Sequence, residues 1–219
     1  MTRQARDSAD GSPELETVLA IDTATPGGSI ALRVGGETRE RALEWRASFR
    51  QAGPAIDELL SEAGILLRGL DAIAVPSGPG SFTGLRVGAA LALGLARIAG
   101  VRLCGVPTLA AVAEAFAPPT PARVCATLDA RRGRRYAALY ERERPGCWRL
   151  VSGPLDATPA EILALAKGVP IVGPDPAAAS PAGLAGTVAR LASVDPGRYA
   201  LIAPGELELV YARPGVDSG

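Results

Sequence analysis

The 219-residue sequence contains no histidine, a single lysine (Lys167) and a single methionine. The missing histidine excludes imidazole-activated nucleophiles and every metal site that uses a histidine ligand. Cysteine is scarce: Cys104, Cys125 and Cys147 are widely spaced and odd in number, which fits neither a zinc pattern nor a disulfide framework. A reducing cytoplasm accommodates them, and Cys104, at the end of an apolar strand, reads as core. Excess charge is also lacking. The 23 basic and 23 acidic residues cancel, which argues against general nucleic-acid binding. Aromatic residues make up only 4%. No apolar run follows a basic start near Met1, so no signal peptide is expected, and residues 1–15 read as a disordered leader.

Small and aliphatic residues are plentiful. The apolar fraction is 47%, ample for a core in one large domain or two small ones. The most informative stretch is Pro76–Gly100, PSGPGSFTGLRVGAALALGLARIAG. An apolar strand enters the glycine turn at Ser77–Gly80, and a helix leaves it near Ser81 or Thr83, either able to cap exposed N–H groups. From Gly84 to Ala99 only Arg86 and Arg97 are charged, so the helix lacks the polar face of a surface helix. Gly84, Gly88 and Ala92 recur four apart and present a face that another backbone can approach. One face belongs on a sheet; the other needs a second cover, from this chain or another protein. With two arginines it reads as too short to span a bilayer, and no membrane partner is expected.

The order of elements is three meander strands (Val18–Ile21, Ser29–Val34, Thr38–Trp45), a helix (Gln51–Gly64), a strand (Ala72–Val75), the glycine-rich helix, a strand (Val101–Cys104) and a helix (Leu109–Phe116). Prolines at 118, 119 and 121 break the chain. The pattern then recurs in reduced form: strands at Arg123–Asp129, Tyr136–Arg142 and Trp148–Val151, a helix at Pro159–Lys167, a strand at Pro170–Val172 and a helix at Leu184–Ser193. Leu209–Tyr211 returns to the first half. The plan is α/β, with two ribonuclease-H-like subdomains in the actin-like arrangement, the second reduced. The boundaries read as 16–117, 118–207 and a C-terminal segment at 208–219.

Several residues could carry chemistry. Asp22 and Asp129 end equivalent strands, and two such carboxylates could hold Mg²⁺ for phosphoryl transfer. The commoner case is an aspartate that ends a strand and bonds to its own turn. With Thr23 and Thr25 they outline a nucleotide cleft, active or vestigial. The turn at Ser77–Gly80 could cradle a phosphate, but it lacks a Walker lysine and a dinucleotide fingerprint. Arg131, Arg132, Arg134 and Arg135 make a basic hairpin tip that could touch tRNA phosphates or simply be solvated. No serine, cysteine or threonine has a candidate base beside it.

Four segments together resemble the bacterial TsaB family: VLAIDTAT (Val18–Thr25), GPGSFTGLRVG (Gly78–Gly88), LDARRG (Leu128–Gly133) followed by Tyr136–Tyr140, and Tyr211-x-Arg213. The resemblance runs from Glu16 to Pro214. It implies a non-catalytic partner of TsaD, working with the ATPase TsaE to place N6-threonylcarbamoyl on the adenosine 3′ of the anticodon in tRNAs that read codons beginning with A. TsaD holds its metal through paired histidines, which this chain lacks, so no catalytic, metal or cofactor site is implied. The implied interface with TsaD uses Ile56 and Leu60 of the earlier helix with Gly80, Ser81, Phe82, Thr83, Gly84, Arg86, Gly88 and Ala92. Alone, the chain is expected to form a homodimer through an overlapping surface. Gly88→Leu is expected to abolish the complex while damaging the isolated fold only moderately. The rival readings are an ATP-binding relative of the sugar kinases, a peptidase and a direct RNA-binding module.

Overall fold

The computed structural model describes residues 15–44, 48–120, 122–175, 183–199, 201–202 and 206–212. It opens with the meander β1 (Thr17–Asp22), β2 (Ser29–Val34) and β3 (Glu37–Ala42), β2 and β3 being joined by Gly35 and Gly36 at φ of 56° and 100°. Positive φ at both central positions is what a tight hairpin turn requires. The strand expected to reach Trp45 stops at Ala42, and Trp45 lies outside the described residues.

Helix α1 (Ser48–Ala63) begins three residues before the expected Gln51, which places Pro54 inside the helix rather than in its first turn. Next come β4 (Ala72–Gly78), α2 (Phe82–Ala99), β5 (Arg102–Pro107) and α3 (Thr108–Phe116). The second meander is β6 (Arg123–Arg131), β7 (Arg134–Arg144) and β8 (Cys147–Ala157), followed by α4 (Pro159–Ala166), β9 (Ile171–Val172), α5 (Ala185–Val194) and β10 (Leu201–Ile202). β8 runs well past the expected Val151. Pro154 does not end it, because β8 is an edge strand and the β7–β8 register shifts there.

The first sheet has the order β10-β5-β4-β1-β2-β3 and the second β8-β7-β6-β9. In each, the first strand of a meander pairs in parallel with the strand that follows a crossover, β1 with β4 and β6 with β9. The sequence anticipated the repeat of a meander and its crossover; the structure adds that both copies share the 4-1-2-3 strand order. The fold is actin-like, with two ribonuclease-H-like halves, the second reduced. β10, not anticipated, adds an antiparallel edge beside β5.

Side-chain alternation sorts the layers. Val18 and Ala20 of β1 face a central core with Val124, Ala126 and Leu128 of β6, filled by α3 and α5. Leu19 and Ile21 face the opposite side, against α1 and α2. Cys125 and Ala137 face outward from the second sheet, against α4. Because β1 is buried on both faces, it reads as an unbroken apolar run. Helix α5 follows the second sheet in the chain but packs on the first, where the Ala185 N–H donates to Ser29 Oγ at 3.1 Å.

α2 is 18 residues long with mean hydropathy 1.4, long and apolar enough to cross a membrane. That corrects the expectation that it is too short. In this fold it lies along β4 and β1, with Leu85, Gly88, Ala92 and Ala96 buried.

Candidate functional site

The site is built on the contact between α2 and the β1–β2 turn. Asp22 ends β1 with no exposed surface. Its Oδ1 accepts from the N–H groups of Ala24 (2.9 Å) and Thr25 (3.1 Å), and its Oδ2 from the Thr25 hydroxyl at 2.5 Å. The Leu184 N–H, at the start of α5, is also directed at it. A carboxylate is well suited to the positive end of a helix. Burial nevertheless raises its pKa above the ordinary 3.8, against the lowering effect of these hydrogen bonds. Asp22 therefore organises a turn and a helix start. With its oxygens engaged inward, it is not a ligand held out to a cleft.

Over this turn sits the N-terminus of α2. Ser81 is the N-cap, its hydroxyl accepting from the Gly84 N–H at 3.3 Å, and its own N–H donates to the Ala24 carbonyl at 2.9 Å. Thr23 Oγ1 donates to the Gly84 carbonyl at 2.7 Å. A side chain at Gly84 would fall on the Thr23 carbonyl, and one at Gly88 would come within 2.7 Å of Thr23 Oγ1. The backbone that the small-residue face admits is thus the chain's own Thr23–Ala24.

This changes the interface expected from sequence. Gly84, Gly88 and Ala92 line the inner side of α2, Gly80 packs on Ala24, and Ile56 (3% exposed) and Leu60 (8%) lie in the core beneath α1. Gly88→Leu would strike the isolated fold first, contrary to the expectation of moderate damage. Facing outward are Phe82, Thr83 and Arg86, joined along a shallow groove by Val87, Ala90 and Leu91, which sequence reading had not singled out. The signal was present: 83, 86, 87, 90 and 91 follow the three-to-four spacing of one helix face. Phe82 is 53% exposed and Ile98 71%, so the outer side of α2 is apolar and open.

Beside the α2 N-terminus a cleft of about 360 Å³ separates the halves, lined by Gly80–Thr83 on one wall and by Asp129, Arg131 and Tyr136 on the other. Of the expected cleft residues, only Asp129 lines it; Asp22, Thr23 and Thr25 are buried beneath the turn. Asp129 makes the same local bond as Asp22, its Oδ1 accepting from the Arg131 N–H at 2.9 Å. Among the described residues, no group of three carboxylate or thiol side chains is placed to hold a metal ion.

The basic hairpin tip is partly committed within the chain. Arg134 Nε donates to Asp156 at 2.7 Å, and Arg135 donates to the Pro174 carbonyl at 3.3 Å. Arg131 and Arg132 form the turn itself, both at positive φ. The four arginines therefore do not make a single free cationic patch. All three thiols are buried, which raises the Cys104 pKa to about 12 and those of Cys125 and Cys147 to about 11, far from a thiolate nucleophile at neutral pH.

The family model described as "TsaD: tRNA N6-adenosine threonylcarbamoyltransferase" matches residues 42–173. The tRNA threonylcarbamoyladenosine biosynthesis protein TsaB of Escherichia coli is 39% identical over 133 residues, 60% of this chain and 58% of the relative. The chain belongs to the TsaB branch of this family. It spans somewhat over half the length of that TsaB relative. An uncharacterized protein of Mycobacterium tuberculosis is 33% identical over 189 residues, covering 80% of this chain and 86% of its own. The crystal structure of a Pseudomonas aeruginosa protein with similarity to peptidase YeaZ superposes with a TM-score of 0.75 at 27% identity, over 91% of this chain and 100% of that one. The TsaB-type features come together at one place: the VLAIDTAT strand and turn and the GPGSFTGLRVG turn and helix are the two segments in contact at Thr23–Gly84.

Proposed function

We propose that this chain is a scaffold and activator subunit, without a catalytic site of its own, in N6-threonylcarbamoyl modification of tRNA, the process named in its TsaB relatives. It works in the cytoplasm, binds a TsaD-type paralogue, and is joined by TsaE in a ternary complex. Through that complex it meets tRNAs that read codons beginning with A. Alone, it pairs with a second copy through the same face. One observation carries this reading: α2 is apolar on both sides, its inner side seats on the chain's own sheet, and its outer side is left open. Protein interfaces of the obligate kind have this apolar character. The docking face is the outer row Phe82, Arg86, Val87, Ala90 and Leu91, narrower than the sequence implied. Ile56, Leu60 and the glycines act beneath it by setting the height of α2.

The test is co-expression of the chain with the TsaD-type protein from the same cell, followed by purification of the complex and reconstitution of tRNA modification. Failure of the two to associate would sink the reading. A second reading, a nucleotide-binding chain, is favoured by the α2 N-terminus opening on the interdomain cleft. Titration of the isolated chain with ATP and Mg²⁺ decides it, and Asp129→Ala and Tyr136→Ala should then weaken binding.

A further inference from the structure

The segment 206–212 is fastened to the first half at three points. Leu207 joins the apolar cluster under α1 and α2 and lies against Gly105. The Val210 N–H donates to the Ser77 carbonyl at 2.7 Å. Tyr211 then stacks on Phe82, the first residue of α2, with ring centroids 5.5 Å apart and planes at 43°. One helical turn further on, the Arg86 guanidinium sits over the same Phe82 ring, 3.9 Å from its centroid. The stack is not core: Phe82 is 53% exposed and Tyr211 45%, in a chain with few aromatic residues.

A free phenylalanine on a helix end samples several rotamers, and a partner that captures it must overcome that entropy. A ring in contact with both a tyrosine and a guanidinium is already placed. Tyrosine and arginine are also the residues that most often dominate binding energy, and preorganised anchors bind more tightly than mobile ones. We infer that Tyr211 is a positioning residue that fixes Phe82 and Arg86 as a preformed anchor at the N-terminal end of the α2 docking face. The partner it fits presents an apolar pocket for the Phe82 ring and a carboxylate within reach of Arg86. This inference rests on the docking reading proposed above and extends it to the C-terminal segment.

The test compares full-length wild type, Tyr211→Ala and Tyr211→Phe by calorimetric titration against the TsaD-type paralogue, with thermal unfolding of each chain alone. Tyr211→Ala should bind about three- to tenfold more weakly, the range of one aromatic contact, at an unchanged unfolding midpoint. Tyr211→Phe, which keeps the ring, should bind like wild type. Wild-type affinity in Tyr211→Ala, with wild-type binding intact, overturns the anchor and leaves the docking reading standing. A loss that follows a fall in the unfolding midpoint and is not rescued by phenylalanine also overturns it. A wild-type chain that binds no paralogue overturns both.

Discussion

The two sides of α2 share one helix, yet they answer to different constraints. The inner side is fixed by backbone: Gly84 and Gly88 sit where the Thr23 carbonyl and hydroxyl leave no room for a Cβ. The outer side has room, and its apolar residues Phe82, Val87 and Ala90 lie open beside Thr83 and Arg86. The small-residue face therefore belongs to folding, whereas Phe82 and Val87 on the outer side belong to the docking face proposed above, and Leu91 lies at its margin, partly packed on the core. An interface that also used the inner face would require the fold to open first.

The comparison is broken most severely on the inner side. Gly84→Val should cost about 3 kcal/mol or more of stability by urea unfolding, since overpacking against backbone cannot be relieved by a rotamer change. Asp22→Ala comes next, at about 2–3 kcal/mol, because it strands the N–H groups of Ala24 and Thr25 and the Thr25 hydroxyl without their acceptor. On the outer side, Val87→Asp should change stability by no more than about 0.5 kcal/mol, while costing the complex about 2 kcal/mol, roughly thirtyfold in affinity. Equal losses of stability on both sides would erase the distinction between them.

Asp22 also has a pH signature. Its native pKa is raised above 3.8 by burial. The folded chain therefore holds this proton to higher pH than the unfolded chain does. Stability from this group is greatest below 3.8 and falls as pH rises from there through the raised native value. Asp22→Asn should remove that decline, measured as the unfolding free energy across the acid range relative to wild type. The smallest effect belongs to Arg134→Ala. The Asp156 pair is partly exposed, so its removal should cost under about 1 kcal/mol, and partner binding should be untouched.

How much of this could be read in the sequence varies with the element. β1 was legible because its middle, Val18–Ile21, is buried on both faces and so carries no polar residue to confuse it. The recurrence of a meander followed by crossovers was legible because strands and helices alternate with a clear break at Pro118–Pro121, whereas the spatial order of the strands was not read from it. The outer limit of β8 was not, since Gly153-Pro154 reads as a break and only an edge strand with a shifted register accommodates it. Spacing of Gly84 and Gly88 announced that a backbone comes close but could not say whose. Ile56 and Leu60 were misplaced for the same reason: helical periodicity identifies an apolar stripe without saying whether the chain itself or a partner covers it. The Tyr211–Phe82–Arg86 stack joins residues far apart in sequence, and only the Phe82–Arg86 spacing hinted at it.

The measurement that bears most directly on the docking face is size-exclusion chromatography with light scattering. The wild-type chain and Val87→Asp would each be run alone and mixed with the TsaD-type paralogue. The account predicts a heteromeric peak for wild type and separate peaks for a folded Val87→Asp. Equal complex formation by both chains would contradict it and move the partner surface away from α2.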